Sequence, residues 1–357
     1  MKQKLLPLLV FSVLSLLILS CKKSIQSFPS EPQTGFSDIY KKSSESEASL
    51  PETNFSRGFG INNSGAMTGS VRNDDGKVVA FLLKNNSSWF SDEEVLPNGL
   101  PETKFSINDP GDVAGSKVSG ADLVPMLWRH DQSFELQKLP GFQFGEVYDL
   151  NNAGIMVGEC WNGTYTTATS ARAVVFSMNG LPIDLGTLGG ASAAATGVNE
   201  DGDIVGNSGL ANGQSHAFLY KEGVMYDLGT LGGTISNANA INNNGEIVGR
   251  STLANGAIRA FLYKEGVMQD LGTLGGAASV AFDINDKGDV VGFSRISNGQ
   301  ARAFLYKDGL MHDLGALGGT DSRAISINNK GEIIGHYTKT DGSVHAFIYR
   351  DGQMYPL

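Results

Sequence analysis

Cysteine is nearly missing from this chain: its 357 residues include two, Cys21 and Cys160. That excludes a disulfide scaffold and a Cys-rich metal site. Histidine is scarce too, with five residues, and no His/Cys/Asp spacing has the form of a zinc motif. Charged residues make up 18% of the chain, the net charge is −10, and Lys and Arg are scattered. The basic patch of a nucleic-acid-binding protein is therefore absent, and no nucleic acid partner is expected. No apolar run reaches the roughly 20 residues of a comfortable membrane span. No local Ser, Cys or paired-carboxylate arrangement marks a catalytic centre, and nothing calls for a cofactor.

Glycine, by contrast, is abundant at 46 residues, scattered between runs rich in Val, Ile, Phe and Tyr. It shows no three-residue period, so collagen is excluded, and short strands with tight turns are indicated. A nine-residue phrase recurs from Ile61, Ile107, Leu150, Val198, Ile241, Ile284 and Ile327: apolar, Asn, two variable residues, Gly, two variable residues, a small or apolar residue, Gly. Its Asn stands at 62, 108, 151, 199, 242, 285 and 328, at spacings of 46, 43, 48, 43, 43 and 43. A fixed period of this size means one supersecondary unit copied many times.

In the unit Ser236–Gly276, segments at Ala238–Asn242, Glu246–Ser251, Arg259–Lys264 and Val267–Leu271 read as four strands. Asn255-Gly256 and Glu265-Gly266 supply turns, because Gly accepts the positive φ that tight hairpins need. A lone meander cannot bury both faces, so the copies must pack together. Four strands in about 43 residues predict an all-β fold, a seven-bladed β-propeller. Seven complete units fit between residue 55 and Leu357 with no strand left over, so closure rests on packing of the last unit against the first. Residues 35–50 could still add a strand to the ring.

The N-terminus reads as an address. Met1–Ser20 has a basic start and an apolar run, the plan of a signal peptide. Ile18-Leu19-Ser20-Cys21 resembles the bacterial lipobox, which implies cleavage before Cys21 and its acylation, against the alternative of an incidental thiol. Two or three acyl chains anchor a protein stably. Residues 21–54 read as a polar tether with a root-mean-square reach on the order of 30 Å, and 55–357 as the repeat domain. A monomer in the bacterial cell envelope is expected, lipid-anchored to the outer membrane or cell surface.

Three further segments carry a resemblance: His216-Ala217-Phe218-Leu219-Tyr220, Asp227-Leu228-Gly229-Thr230-Leu231-Gly232-Gly233, and Ile241-Asn242-Asn243-Asn244-Gly245 followed by Ile247-Val248-Gly249. Together they are similar to the bacterial HAF repeat, named for His-Ala-Phe. The resemblance is strong over 172–350 and weaker over 55–171. It implies an extracellular location and a propeller-like repeat, and carries no activity.

Candidate sites have two readings each. Asp109, Asp201, Asp203, Asp286 and Asp289 cluster at the Asn-x-x-Gly turns, but no unit alternates oxygen ligands as a calcium loop requires, so a structural turn is favoured. Arg172, His216, Arg259 and Arg302 lie on the diagonal across the hairpin from Asp184, Asp227, Asp270 and Asp313, within long side-chain reach, as repeated cross-strand ion pairs or as a ring of charges for a ligand. Phe218, Phe261, Phe304 and Phe347 read as core between units, and Gly206, Gly249, Gly292 and Gly335 as points of close backbone approach. Gly232-Gly233 and its copies read as loops between units. Trp128 replaces the usual core pattern in unit two, and Trp161 and Tyr165 lie in an insertion, 159–170, beside Cys160. These three aromatics are candidate interaction residues, Cys160 reads as a buried thiol, and any specific activity is expected in units one to three. The functional expectation is a binding scaffold for a protein or polysaccharide; a carbohydrate-acting propeller enzyme with a central-channel site and a structural envelope component are the alternatives.

Overall fold

The computed structural model describes residues 50–357 apart from 52, 85–86, 96–103, 121, 131 and 164–169. The signal peptide, Cys21, most of the tether and Tyr165 lie outside the described residues. Within them the Gly-punctuated runs form 28 strands and no helix. In the regular unit the strands are Gly232–Ile241, Ile247–Leu253, Ile258–Lys264 and Val267–Asp270, paired antiparallel in chain order. The last turn takes positive φ at both central residues, 52° at Glu265 and 83° at Gly266, which matches the twist of a two-residue hairpin. The strands assemble into four sheets of four and one of twelve. The twelve-stranded sheet contains three meanders joined only by the single parallel pairs Ala171↔Ser192 and Ser215↔Ile235.

Two details differ from the sequence expectation. Gly232-Gly233 and Gly275-Gly276 open the first strand of their units instead of forming loops. A Cβ on Gly276 would collide with the Arg295 carbonyl, so the pair serves backbone contact. The first strand also carries a bulge. Ala238 pairs with Gly249 and Ala240 with Val248, which leaves Asn239 as the extra residue. The same slip occurs at Phe59, Tyr148, Thr196, Phe282 and Ile325.

The core lies between units. Val205 and Ala217 pack with Ala238, Ile241, Ile247 and Phe261 of the next unit, and Val248 and Ala260 with Ala281, Ile284 and Phe304. Phe81, Phe218, Phe261, Phe304 and Phe347 are fully buried. The pattern closes, since Ala346 of the last unit packs with Leu50, Val71, Val79 and Phe81. Its backbone N–H donates to Ser56 Oγ at 2.9 Å, as Ala260 does to Ser279 Oγ at 2.9 Å.

The repeated Asn does more than cap its turn. Asn242 Oδ1 accepts the Asn244 and Glu246 backbone N–H groups, while Asn242 Nδ2 donates to the Asn285 carbonyl at 3.0 Å. Each repeated Asn reaches the next in this way, and Asn328 returns to the Asn62 carbonyl at 3.0 Å. Beside this buried belt runs an outer one. Asn63, Asp109, Asn152, Glu200, Asn243 and Asp286 each donate a backbone N–H to the next residue's side chain, and Asn329 donates to Asn63 Oδ1. Each of its three acids stands between two amides, so no two carboxylates adjoin.

Asn242→Ala should destabilise the protein by about 2–4 kcal/mol in urea unfolding, since it orphans buried groups on two units. Asn243→Asp would place three acids in a row and remove the Asn243 Nδ2 bond to Asp286, with an expected loss of about 1 kcal/mol at low ionic strength that high salt restores in part. An Asn242→Ala effect no larger than that of an exposed Asn→Ala would overturn the belt's role.

Candidate functional site

A β-bulge re-aims the extra side chain. Here the bulged residues Phe59, Tyr148, Thr196, Asn239, Phe282 and Ile325 all line one cavity of 580 Å³, together with Phe105 at the matching place in unit two. This size is within the roughly 300–1,000 Å³ range of small-molecule sites. The residue after each bulge also faces the cavity in several units, which brings in Asp149 and Asp283. Arg57, Lys104 and Arg323 complete the charged wall.

Both cavity carboxylates are tied to the wall. Asp149 accepts from Ser106 Oγ at 2.6 Å and from the Val198 N–H at 3.0 Å. Asp283 accepts from Ser326 Oγ at 2.8 Å and from the Ile327 and Ile284 N–H groups. Burial outweighs these bonds and pushes Asp149 up to about 6, with the Asp283 charge adding to the rise. Burial likewise raises Asp283. The two remain half-exposed, but to the cavity interior.

Arg57 and Arg323 occupy the same place in their units, five residues before the repeated Asn, where others have Glu146, Ala194, Asn237 and Val280. Arg57 Cζ lies 5.0 Å from the Phe55 ring centroid and Arg323 Cζ 4.9 Å from that of Phe293. His336, paired with Arg323 across the strands, is driven down to about 3 by burial and then by these two cations. On another side of the cavity, Lys104 Nζ sits 5.6 Å from the Tyr148 ring centroid. The Tyr148 hydroxyl donates to Glu159 Oε1 at 2.7 Å. Glu159 is cross-strand partner to Glu146, whose buried carboxylate oxygens have no hydrogen bond of standard geometry. Burial and then the Glu159 charge push Glu146 up to about 8, with weaker opposing pulls from Tyr148 and Lys104.

The residues singled out from sequence fall elsewhere. Arg172 lies 3.4 Å from Asp184, His216 2.9 Å from Asp227 and Arg259 3.8 Å from Asp270, each across one hairpin and outside the cavity lining. Arg302 donates to the Thr320 and Ala301 carbonyls as Arg172 and Arg259 do to the matching ones, but it also donates to Gln300 Oε1, and no ion pair joins it to Asp313 among the described residues. Trp128 and Trp161 are not surface residues. Trp128 packs with Phe105 in the core and Trp161 stacks on Phe144 at 5.4 Å, both buried because their strands face neighbouring units. Residues 159–162 belong to the strand Met156–Asn162, so the insertion is shorter than it reads. Cys160 is buried, and burial pushes its thiol up to about 11. The cavity residues lie outside the sequence expectation because they occupy positions that vary between repeats. The varying residues three and two places before each Asn were the signal.

No family model matches the chain, and no curated protein does. Solved structures do. The β-propeller domain of the Trilobed protease from Pyrococcus furiosus shares 10% identity over 85% of this chain and 97% of that one, with a TM-score of 0.54. A Mycobacterium tuberculosis puromycin-hydrolyzing peptidase shares 13% over 82% of this chain, TM-score 0.54, and the Pyrococcus horikoshii acylaminoacyl peptidase 11% over 85%, TM-score 0.53. The chain spans only 51% and 52% of those two peptidases. These likenesses establish the fold as a β-propeller.

The buried acid Glu146 gives a pH signature. Its folded value of about 8 exceeds the ordinary 4.5, so its stabilisation is complete below 4.5 and is lost as pH rises through about 8. His336 acts oppositely and only below its ordinary 6.5. Between pH 6.5 and 8 the Tm should therefore fall, and Glu146→Gln should flatten that fall. Equal slopes in the two proteins would refute the assignment.

Proposed function

We propose that this chain is a seven-bladed β-propeller, one four-stranded blade per repeat of about 43 residues, that works as a lipid-anchored binding protein with its ligand in the central cavity. The blade count is supported by the belt of Asn bonds, in which each repeat touches the next and Asn328 returns to Asn62. The HAF-like repeat and the lipobox at Cys21 support an envelope location.

One observation carries the binding role. The Asn that joins the repeats is the same in all seven, whereas the residue three places before it, which faces the cavity, takes five different identities. Phe, Phe, Tyr, Thr, Asn, Phe and Ile follow one another at the cavity position, from Phe59 to Ile325. A structural envelope component would have no use for such a wall. The specialised side chains are also not confined to units one to three, since Phe282, Asp283 and Arg323 come from regular units. The enzyme alternative has Asp149 and Asp283 as cavity carboxylates, but both are engaged by Ser hydroxyls and backbone N–H groups.

Thr196→Trp should crowd the cavity and weaken binding to glycan and peptide arrays while leaving the circular dichroism spectrum intact; binding that is unchanged would move the site elsewhere. Turnover of a bound carbohydrate that Asp149→Asn and Asp283→Asn both abolish would favour the enzyme. Cys21→Ala should shift the protein from the membrane to the soluble fraction, and unchanged partitioning would rule out the lipid anchor.

A further inference from the structure

We propose that the cavity takes a small amphipathic organic anion, with its carboxylate or phosphate received by Arg323 and its apolar body packed on Phe282 and Ile325. This rests on the reading of the cavity as the ligand site and specifies the ligand's chemistry.

Three cations and two acids line the cavity, and the acids are the weaker presence. Asp149 and Asp283 already receive hydroxyl and backbone donors, and burial raises both. They are poorly placed to receive a ligand's donors. Arg323 makes no ion pair among the described residues, and its guanidinium lies over Phe293. Arg57 lies over Phe55 in the same manner. Aromatic faces hold both planar forks in place, which lowers the ordering cost of a carboxylate or phosphate contact. Both cations lie close enough to His336 to depress it, so they form one positive wall backed by a neutral imidazole. An anion on Arg323 would meet a cation that makes no ion pair among the described residues.

The apolar half is equally specific. Phe282 and Ile325 are half-buried at the lining, and the core pair Phe59 and Phe105, tilted against each other at 6.0 Å, forms the apolar layer behind them. A neutral sugar would instead seek paired acceptor and donor groups, and the cavity's amide is engaged: Asn239 Nδ2 donates to the Ala281 carbonyl.

The test is isothermal titration calorimetry on the soluble Cys21→Ala protein with 4-phenylbutyrate, phenyl phosphate and the uncharged 4-phenylbutanol. At least one anion should bind, more weakly at high salt and at least about tenfold more tightly than the alcohol. Arg323→Gln should cost about tenfold or more, with Arg323→Lys intermediate. The stronger of the two anions then identifies the headgroup. An alcohol that binds as well as the anions, an indifferent Arg323→Gln in a protein of unchanged Tm, or no binding of either anion would overturn the proposal. Thr196→Trp separates the two readings. If it weakens binding of a neutral probe, the cavity is the site and only the anion is wrong; if it leaves all binding intact, the cavity reading fails as well.

Discussion

A buried asparagine that bonds in two directions holds this protein together. Its Oδ1 folds the chain back into the second strand, and its Nδ2 fastens the carbonyl of the next repeat's asparagine. A side-chain amide so placed is costly to bury unless both ends are satisfied, and here both are. One residue type therefore sets the turn within a repeat and the spacing between repeats. Because Asn328 reaches Asn62, the belt has no free end. The hydrophobic clusters between units need that spacing, since each buried Phe packs against small residues across the joint.

The cavity depends on the same constraint. The bulged residue is three places upstream of the Asn, so a fixed turn also fixes which side chain turns inward. The second strand accommodates the bulge through glycine: a Cβ on Gly249 would strike the Asn237 carbonyl, and one on Gly292 the Val280 carbonyl. Glycine and asparagine thus confine the repeated sequence to the scaffold and leave the inward positions open to change. Those positions then tolerate groups a core would reject, including the raised acid Glu146 and the neutral His336 behind them.

The repeat, its four strands, its positive-φ turns and the Phe core were legible because they depend on neighbours in sequence. Asn242 was legible as a turn residue for the same reason. Its second bond was not, because the partner carbonyl belongs to Asn285, a full unit away. Trp128 and Trp161 read as interaction residues because large aromatics in irregular units look like additions, yet alternation along their strands places both against a neighbouring unit. Arg302 satisfies the same spacing rule as Arg259 and bonds the matching carbonyl, but its Nη2 goes to Gln300 Oε1 and no ion pair joins it to Asp313 among the described residues. A spacing rule gives reach, and local acceptors decide where a guanidinium goes.

Closure also explains why the charged wall could not be read unit by unit. Arg57 and Arg323 belong to the first and last repeats, and each alone is one variable residue among seven. They meet only because the ring closes, with the Val344 N–H donating to the Asn54 carbonyl and Asn329 to Asn63 Oδ1. In an open array of the same repeats the two arginines would stand at opposite ends. The positive side of the cavity is therefore a property of the closed ring, and damage to the belt would remove the site along with the joint that forms it.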